Sequence, residues 1–167
     1  MDDPVELIGT VVGAPAGFLA APLGGRPCVL YELTIDLYTF GVMNAWTNRA
    51  RELRGTAFEL EAGDERVLVE AEACVATLDV DRHVEANGRA REPREILTRY
   101  RVPPAGEFRF REAAVLTGDI VRVRGVAVRE PDPAPRRASS YRDGAATRLR
   151  IAPTDGVPVQ IWSVRRP

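Results

Sequence analysis

Apolar and polar positions alternate most regularly in the stretch RPCVLYELTIDLY, Arg26 to Tyr38. From Val29 the odd positions Val29, Tyr31, Leu33, Ile35 and Leu37 are apolar, and the even positions Glu32, Thr34 and Asp36 are polar. A period of two over about ten residues marks a half-buried β-strand. The odd face is large and branched. The pattern therefore predicts the central strand of an all-β domain, with other strands covering that face.

The rest of the chain reads in the same terms. Residues 5–12 form a first strand, with Gly9 as a bulge or a point of close approach. Residues 14–27 are a loop dense in Ala, Gly and Pro; Pro15, Pro22 and Pro27 allow no more than one helical turn, around residues 18–21. Residues 39–55 read as a long hairpin loop or a short excursion. Residues 56–61 and 66–74 form a hairpin across Ala-Gly-Asp-Glu. The alternation then slips a phase around residues 75–78, which predicts a bulge or bend. Residues 92–100 suit one short helix ahead of Pro103 and Pro104. Further strands follow at 107–111, 120–129 (with a slip at Gly125), 148–152 and 159–164. Residues 130–147, rich in proline and arginine, read as a flexible loop. The sum is a single domain over 1–167. It is all-β, a barrel or OB-like sandwich of about eight or nine short strands with little helix.

Composition narrows the chemistry. At 167 residues the chain can bury a real core without disulfides or metals. Two cysteines, Cys28 and Cys74, are too few for a disulfide framework, and both fall in strand-like runs. Buried free thiols and a cytoplasmic, reducing compartment are the expectation. No run approaches the roughly 20 apolar residues of a membrane span, and the acidic start MDDPVELIG lacks the features of a signal peptide, so a soluble chain is expected. All 23 basic residues are arginine. Schiff-base lysine chemistry and a P-loop lysine are thereby excluded. The net charge of −1 hides an asymmetry: residues 1–83 carry 14 acidic and 6 basic residues, residues 84–167 carry 10 and 17. Either a partner surface or pairing across interleaved strands would account for it; pairing is the simpler expectation.

Three constellations could carry chemistry. Asp79, Asp81, His83 and Glu85 alternate, so on a strand they would share one face some 6.5–7 Å apart (roughly) and could share Mn or Zn. A solvated acidic face gives the same pattern. His83 is the only histidine. A triad would have to use it with Ser139, Ser140, Cys28 or Cys74, and no G-x-S-x-G elbow is present. Arginines 99, 101, 109, 111, 122 and 124 alternate beside Tyr100, Phe108 and Phe110, as on a single-strand nucleic-acid platform. The two sets have opposite parity, however, so stacking and phosphate contact on one face are not expected. Trp46 is either an exposed anchor or folded back on the barrel.

Several of these segments together resemble the GIDE domain, also called the BAM ("beside a membrane") domain. It occurs in MULAN/MAPL-type E3 ubiquitin ligases and in bacterial proteins. The likeness lies in Gly9 to Val11, in APLGGRPCVLY with Pro22, Leu23, Gly25, Pro27, Cys28 and Tyr31 in register, in residues 58–69, and in EAAVLTGDIVRVRG with Gly118-Asp119 in place. It spans roughly residues 5–164. Two cysteines and one histidine cannot supply the eight or so ligands of a RING, so ligase activity does not carry over. Family members usually carry flanking transmembrane helices, and this chain has none. What the resemblance implies is an extramembrane β-domain that acts as a protein-interaction or sensing module. Pro27 and Cys28 then have structural parts, a strand-entry proline and a small buried thiol. The expectation is a non-catalytic bacterial module without cofactor. Its partner would be another protein, membrane-associated or of a toxin or defence type. Loops 18–26, 39–54 and 130–147 would supply the contacts, with Phe18, Trp46, Arg49 and Arg51 as candidates. An OB-like single-stranded nucleic-acid binder is the alternative. A metal-dependent enzyme using Asp79, Asp81, His83 and Glu85 is third.

Overall fold

The computed structural model describes residues 4–41, 44–133, 147–154 and 156–164. In chain order the described elements are β1 (Val5–Gly13), β2 (Leu19–Ala20), β3 (Pro27–Cys28), β4 (Leu30–Thr39), β5 (Ala45–Gly55), β6 (Phe58–Ala62), β7 (Glu65–Val69), β8 (Cys74–Thr77), β9 (Arg82–Asn87), α1 (Arg91–Arg99), β10 (Glu107–Val115), β11 (Ile120–Pro131), β12 (Thr147–Ala152) and β13 (Val159–Ser163). The all-β expectation holds.

Five strands close a barrel: β1 pairs with β6, β6 with β7, β7 with β12, β12 with β11, and β11 returns to β1. Only the β7–β12 contact in this ring is parallel. Numbered along the chain, the ring order is first, second, third, fifth, fourth, which is the connectivity of an OB-type Greek-key barrel. β13 and β8 extend the sheet beyond β11. Alternate residues fill the interior: Val11, Phe58, Leu60, Val67, Val69, Val121, Val123, Ile151 and Ile161 are all buried in one cluster. Gly9 is a point of close approach. A Cβ there would lie 2.3 Å from the Glu61 carbonyl oxygen, so no larger residue fits where β1 crosses β6.

The barrel's connections build a second layer. The link from β1 to β6 contributes β4 and β5; the link from β7 to β11 contributes β9, α1 and β10. Together they form a four-stranded antiparallel sheet, ordered β5-β4-β10-β9. The regular alternation of residues 29–38 is thus β4, an interior strand of this appended sheet and not of the barrel. Its odd face is covered by a helix where strands were expected: Leu33 and Ile35 pack with Phe108 and Phe110 against Ile96 and Leu97 of α1, with Leu23 of the preceding loop. Pro93 sits in the first helical turn, where its missing N–H costs nothing. The helix ends at Tyr100, and Arg101 turns the chain with φ 56 before the prolines are reached.

Four short or exposed strands escaped the sequence pattern. Residues 18–21 hold no helical turn; β2 pairs with β3 there. Residues 45–55 are a full strand with polar residues on both faces, since β5 is a sheet edge. The strand that begins at Glu65 ends at Val69, and residues 74–77 form β8, parallel to β13. The phase slip at 75–78 is therefore a change of strand partner, not a bulge. β11 runs on to Pro131; residues 134–146, most of the expected loop, lie outside the described residues.

One carboxylate ties the two connections together. Glu112 on β10 is fully buried, 0% exposed. It accepts the Leu23 amide and the Arg26 Nη2 at 2.8 Å, while the Arg26 guanidinium also grips Asp81 at 2.8 and 3.0 Å. Arg82 donates to the Leu23 carbonyl from the other side. Removing one partner of a buried ion pair leaves the other uncompensated. Glu112→Ala is expected to cost about 3 kcal/mol in urea-induced unfolding; a cost below about 1 kcal/mol, the range of a surface pair, would show that this carboxylate does not organise the sheet.

Candidate functional site

The even face of β4 is the open side of the four-stranded sheet. Register sets its rows. Asp36 lies between Arg109 on β10 and Asn48 on β5, and Glu85 on β9 lies beyond Arg109. Thr34 lies between Arg111 and Arg51, with His83 beyond Arg111. Tyr38 is opposite Trp46 at the hairpin end. A shift in the β4–β5 register leaves Arg49 as the extra residue of a bulge.

Asp36 is a buried charge on an outer face, 3% exposed. Four donor contacts explain how it is tolerated. Arg109 reaches one oxygen through Nε at 3.2 Å and Nη2 at 2.9 Å, Arg111 Nη2 reaches the same oxygen at 3.0 Å, and Asn48 Nδ2 reaches the other at 3.2 Å. Burial pushes the carboxyl up, but the bonds from Arg109 and Asn48 and the charges of both arginines outweigh it, and the group stays below its ordinary value.

An aromatic cluster adjoins this pair. The Arg109 guanidinium lies 4.7 Å from the Trp46 ring centroid. Trp46 meets Tyr38 edge-on at 5.2 Å, and Tyr38 meets Phe40 edge-on at 4.9 Å. Phe40 is 73% exposed. Trp46 is thus folded onto the appended sheet rather than the barrel, and the arginine that anchors Asp36 also stacks on it.

The barrel offers a contrast. An OB-type barrel presents nucleic acid to its second and third strands, here β6 and β7. Their arginine is neutralised, as are those of the neighbouring strands: Arg66 by Glu59 at 2.9 Å, Arg129 by Glu65 at 2.8 Å, Arg150 by Glu70 and Glu130, and Arg148 by Glu130. No aromatic side chain stands among them in the described residues. Part of the charge asymmetry of the two chain halves is met by pairing across strands. Asp36, Glu65, Glu70 and Glu6 of the first half pair with arginines of the second.

The remaining sequence candidates scatter. Asp79 and Asp81 precede β9 rather than lying on it, and Asp81 is held by Arg26; only His83 and Glu85 meet, at 3.3 Å. Among the described residues, no three His, Cys, Asp or Glu side chains are grouped to hold a metal ion. Cys28 is buried, and burial followed by the nearby Glu112 pushes its thiol up to about 11; burial does the same to Cys74. Neither is a thiolate at neutral pH. Ser139 and Ser140 lie outside the described residues. Arg99 ends the helix, Arg101 turns the chain, and Arg122 and Arg124 belong to the barrel, so the six arginines form no single row. Phe18 is half exposed in the loop before β2. Arg49 and Arg51 are strand residues on the edge β5, not loop residues.

Parity along β10 holds, but it does not describe the whole face. Phe108 and Phe110 are indeed core, opposite Arg109 and Arg111. But aromatic side chains reach the arginine face from the neighbouring strands, as Tyr38 and Trp46, which alternation along β10 alone could not reveal. Of the motif residues, Leu23, Cys28 and Tyr31 are buried, Gly25 and Pro27 are exposed, and the Asp119 side chain accepts the Leu116 amide while its turn bonds Val11 of β1 in both directions.

This chain matches no family model, no curated protein and no solved structure. No described helix is long and apolar enough to cross a membrane.

The depressed Asp36 carboxyl contributes stability that is fully present above its unfolded value of 3.8 and is lost as pH falls through the lower folded value. Asp36→Asn is therefore expected to lower stability at neutral pH by about 2 kcal/mol, with the difference from the parent closing in acid. Urea titrations at neutral and acid pH test this; a gap that does not shrink in acid contradicts it. A thiol-reactive dye should leave Cys28 unmodified in the folded chain and label it on unfolding; rapid labelling of Cys28 when folded would contradict its burial.

Proposed function

We propose that this chain is a non-catalytic protein-interaction module, of the GIDE/BAM kind that its sequence resembles, and that it presents the open face of the four-stranded sheet to a protein partner. The observation that carries this reading is the cluster of Trp46, Tyr38, Phe40 and Arg109 at the end of the β4–β5 hairpin. Trp, Tyr and Arg are the residues that most often dominate protein interfaces, because each joins a large apolar area to a polar handle at low entropic cost. Here they are mounted on a sheet fixed by Glu112 and Asp36, so little ordering remains to be done on binding. The buried motif residues support the same reading from the other side. They build the scaffold, which leaves recognition to residues outside the motif. The resemblance points to a partner at a membrane surface.

The test is capture from a nuclease-treated native lysate by the tagged chain and by its Phe40→Ala/Trp46→Ala variant. The parent is expected to retain one stoichiometric protein that the variant loses at least tenfold, with the variant's unfolding cooperative. Equal capture by both would overturn the assignment of this face.

A second reading, a single-stranded nucleic-acid binder, is favoured by the OB-type connectivity and by Trp46 and Arg109 sharing a face. It requires oligonucleotide binding that falls steeply with salt. Fluorescence anisotropy with a labelled mixed-sequence oligonucleotide separates the two: the interaction reading expects no saturable binding at physiological salt.

A further inference from the structure

The four-stranded sheet ends on β9, whose outer edge pairs with no strand among the described residues. Its register with β10 runs without a shift from Arg82 to Asn87, and the Gly88 amide continues it to the Gly106 carbonyl at 3.1 Å. Antiparallel strands bond through alternate residues. The amides and carbonyls of Arg82, Val84 and Ala86 therefore face β10, and those of His83 and Glu85 face the open edge. No backbone bond joins His83 or Glu85 to another described segment. Such an edge is a template for a further strand, and folds blunt it with bulges, prolines, charge or shortness. The other edges of the two larger sheets are blunted in this way. β5 has its bulge at Arg49 and carries Arg49, Arg51 and Arg54, and β8 is four residues long. β9 has six residues, no proline and no bulge. Its Val84 is 37% exposed, beside a hollow walled by Pro93 and Ile96 of α1, where Arg82 and Glu92 balance in charge.

We propose that the β9 edge pairs antiparallel with β9 of a second copy of this chain, about a two-fold axis at Val84. The two sheets then run on as one. Charge selects both the occupant and the register. The edge groups of His83 and Glu85 must bond each other's counterparts, which allows an axis at His83, at Val84 or at Glu85. An axis at His83 sets His83 against itself and Glu85 against Asp81. An axis at Glu85 sets Glu85 against itself, and like charges directly opposite are destabilising. Only the axis at Val84 puts His83 opposite the second copy's Glu85, and Glu85 opposite the second copy's His83, each pair exchanging both main-chain bonds. His83 and Glu85 already meet along one strand at 3.3 Å. Within one copy Glu85 lies beside Arg109, so in the pair each Glu85 falls between Arg109 of its own chain and His83 of the other. The two Val84 side chains cover one another as a close, non-hydrogen-bonded pair, and Arg82 faces Ala86. Trp46 lies on the opposite edge strand, so the pairing leaves the aromatic cluster open.

Sedimentation velocity of the full chain over a concentration series is expected to show a reversible monomer–dimer equilibrium. His83→Pro removes an amide that only the second copy uses. It should weaken the dimer at least about tenfold and leave the thermal unfolding of the dilute protein unchanged. Cysteine cross-linking in a Cys74→Ser background, with Cys28 buried, reads the register. Val84→Cys should form an intermolecular disulfide under mild oxidation, because a non-hydrogen-bonded pair brings its Cα atoms within disulfide range. Ala86→Cys, on the same face of the same strand, meets Arg82 and should cross-link at least about tenfold less. A chain that stays monomeric, a dimer that His83→Pro leaves intact, or equal cross-linking at the two positions would overturn the proposal. A monomeric chain whose captured protein is lost from the His83→Pro variant would give the edge to a partner's strand and overturn it as well. The capture test with Phe40 and Trp46 reads the other edge of the sheet and stands or falls separately.

Discussion

The pairing of β4 with β10 is the constraint on which the second layer depends. Eight residue pairs, from Leu30 opposite Val115 to Leu37 opposite Phe108, join two connections that leave the barrel 50 or more residues apart. Without that seam neither connection could bury an apolar face. β5 is added only to β4, β9 only to β10, and α1 covers the side chains that the two central strands present together. Glu112 lies within the seam, opposite Leu33. Its carboxylate answers a backbone amide and a guanidinium from the β2–β3 loop, which fixes Leu23 as the cap of the second core.

The same seam makes the open face. Strand alternation that sends Phe108, Phe110, Leu33 and Ile35 inward must send Arg109, Arg111, Thr34 and Asp36 outward. Two arginines on adjacent outward positions would repel if left to themselves. Asp36 on the neighbouring strand neutralises them jointly, and the Arg109 side chain, held flat by that bond, becomes a lid for Trp46. Scaffold and proposed recognition surface thus share atoms: the charge that stabilises the sheet also orients Arg109 beside Trp46.

The sequence made part of this legible. β1, the β6–β7 hairpin, α1, β10, β11 and β13 follow from period and turn chemistry, because each buries one face and leaves the other wet. β5 was hidden, because an edge strand with Arg49, Arg51, Asn48 and Thr47 has no buried face long enough to set a period. β8 was hidden because Cys74 to Thr77 continues an apolar run that, in space, has changed partner. The site was hidden for a related reason. Its parts come from four strands, and only register across them places Trp46 beside Arg109 or Asn48 beside Asp36. Single-strand parity told the truth about Phe108 and Phe110 and could say nothing about Tyr38. The acidic series at Asp79 to Glu85 misled because it straddles an element boundary: alternation has a meaning only inside a strand.

The central claim is that recognition falls on the appended sheet and not on the barrel. Amide hydrogen exchange of the chain, alone and with its captured protein, tests it most directly. The account predicts added protection in residues 38–54, with β6 and β7 unchanged. Protection confined to β6, β7 and β12 would contradict it and return recognition to the barrel face that OB-type folds use.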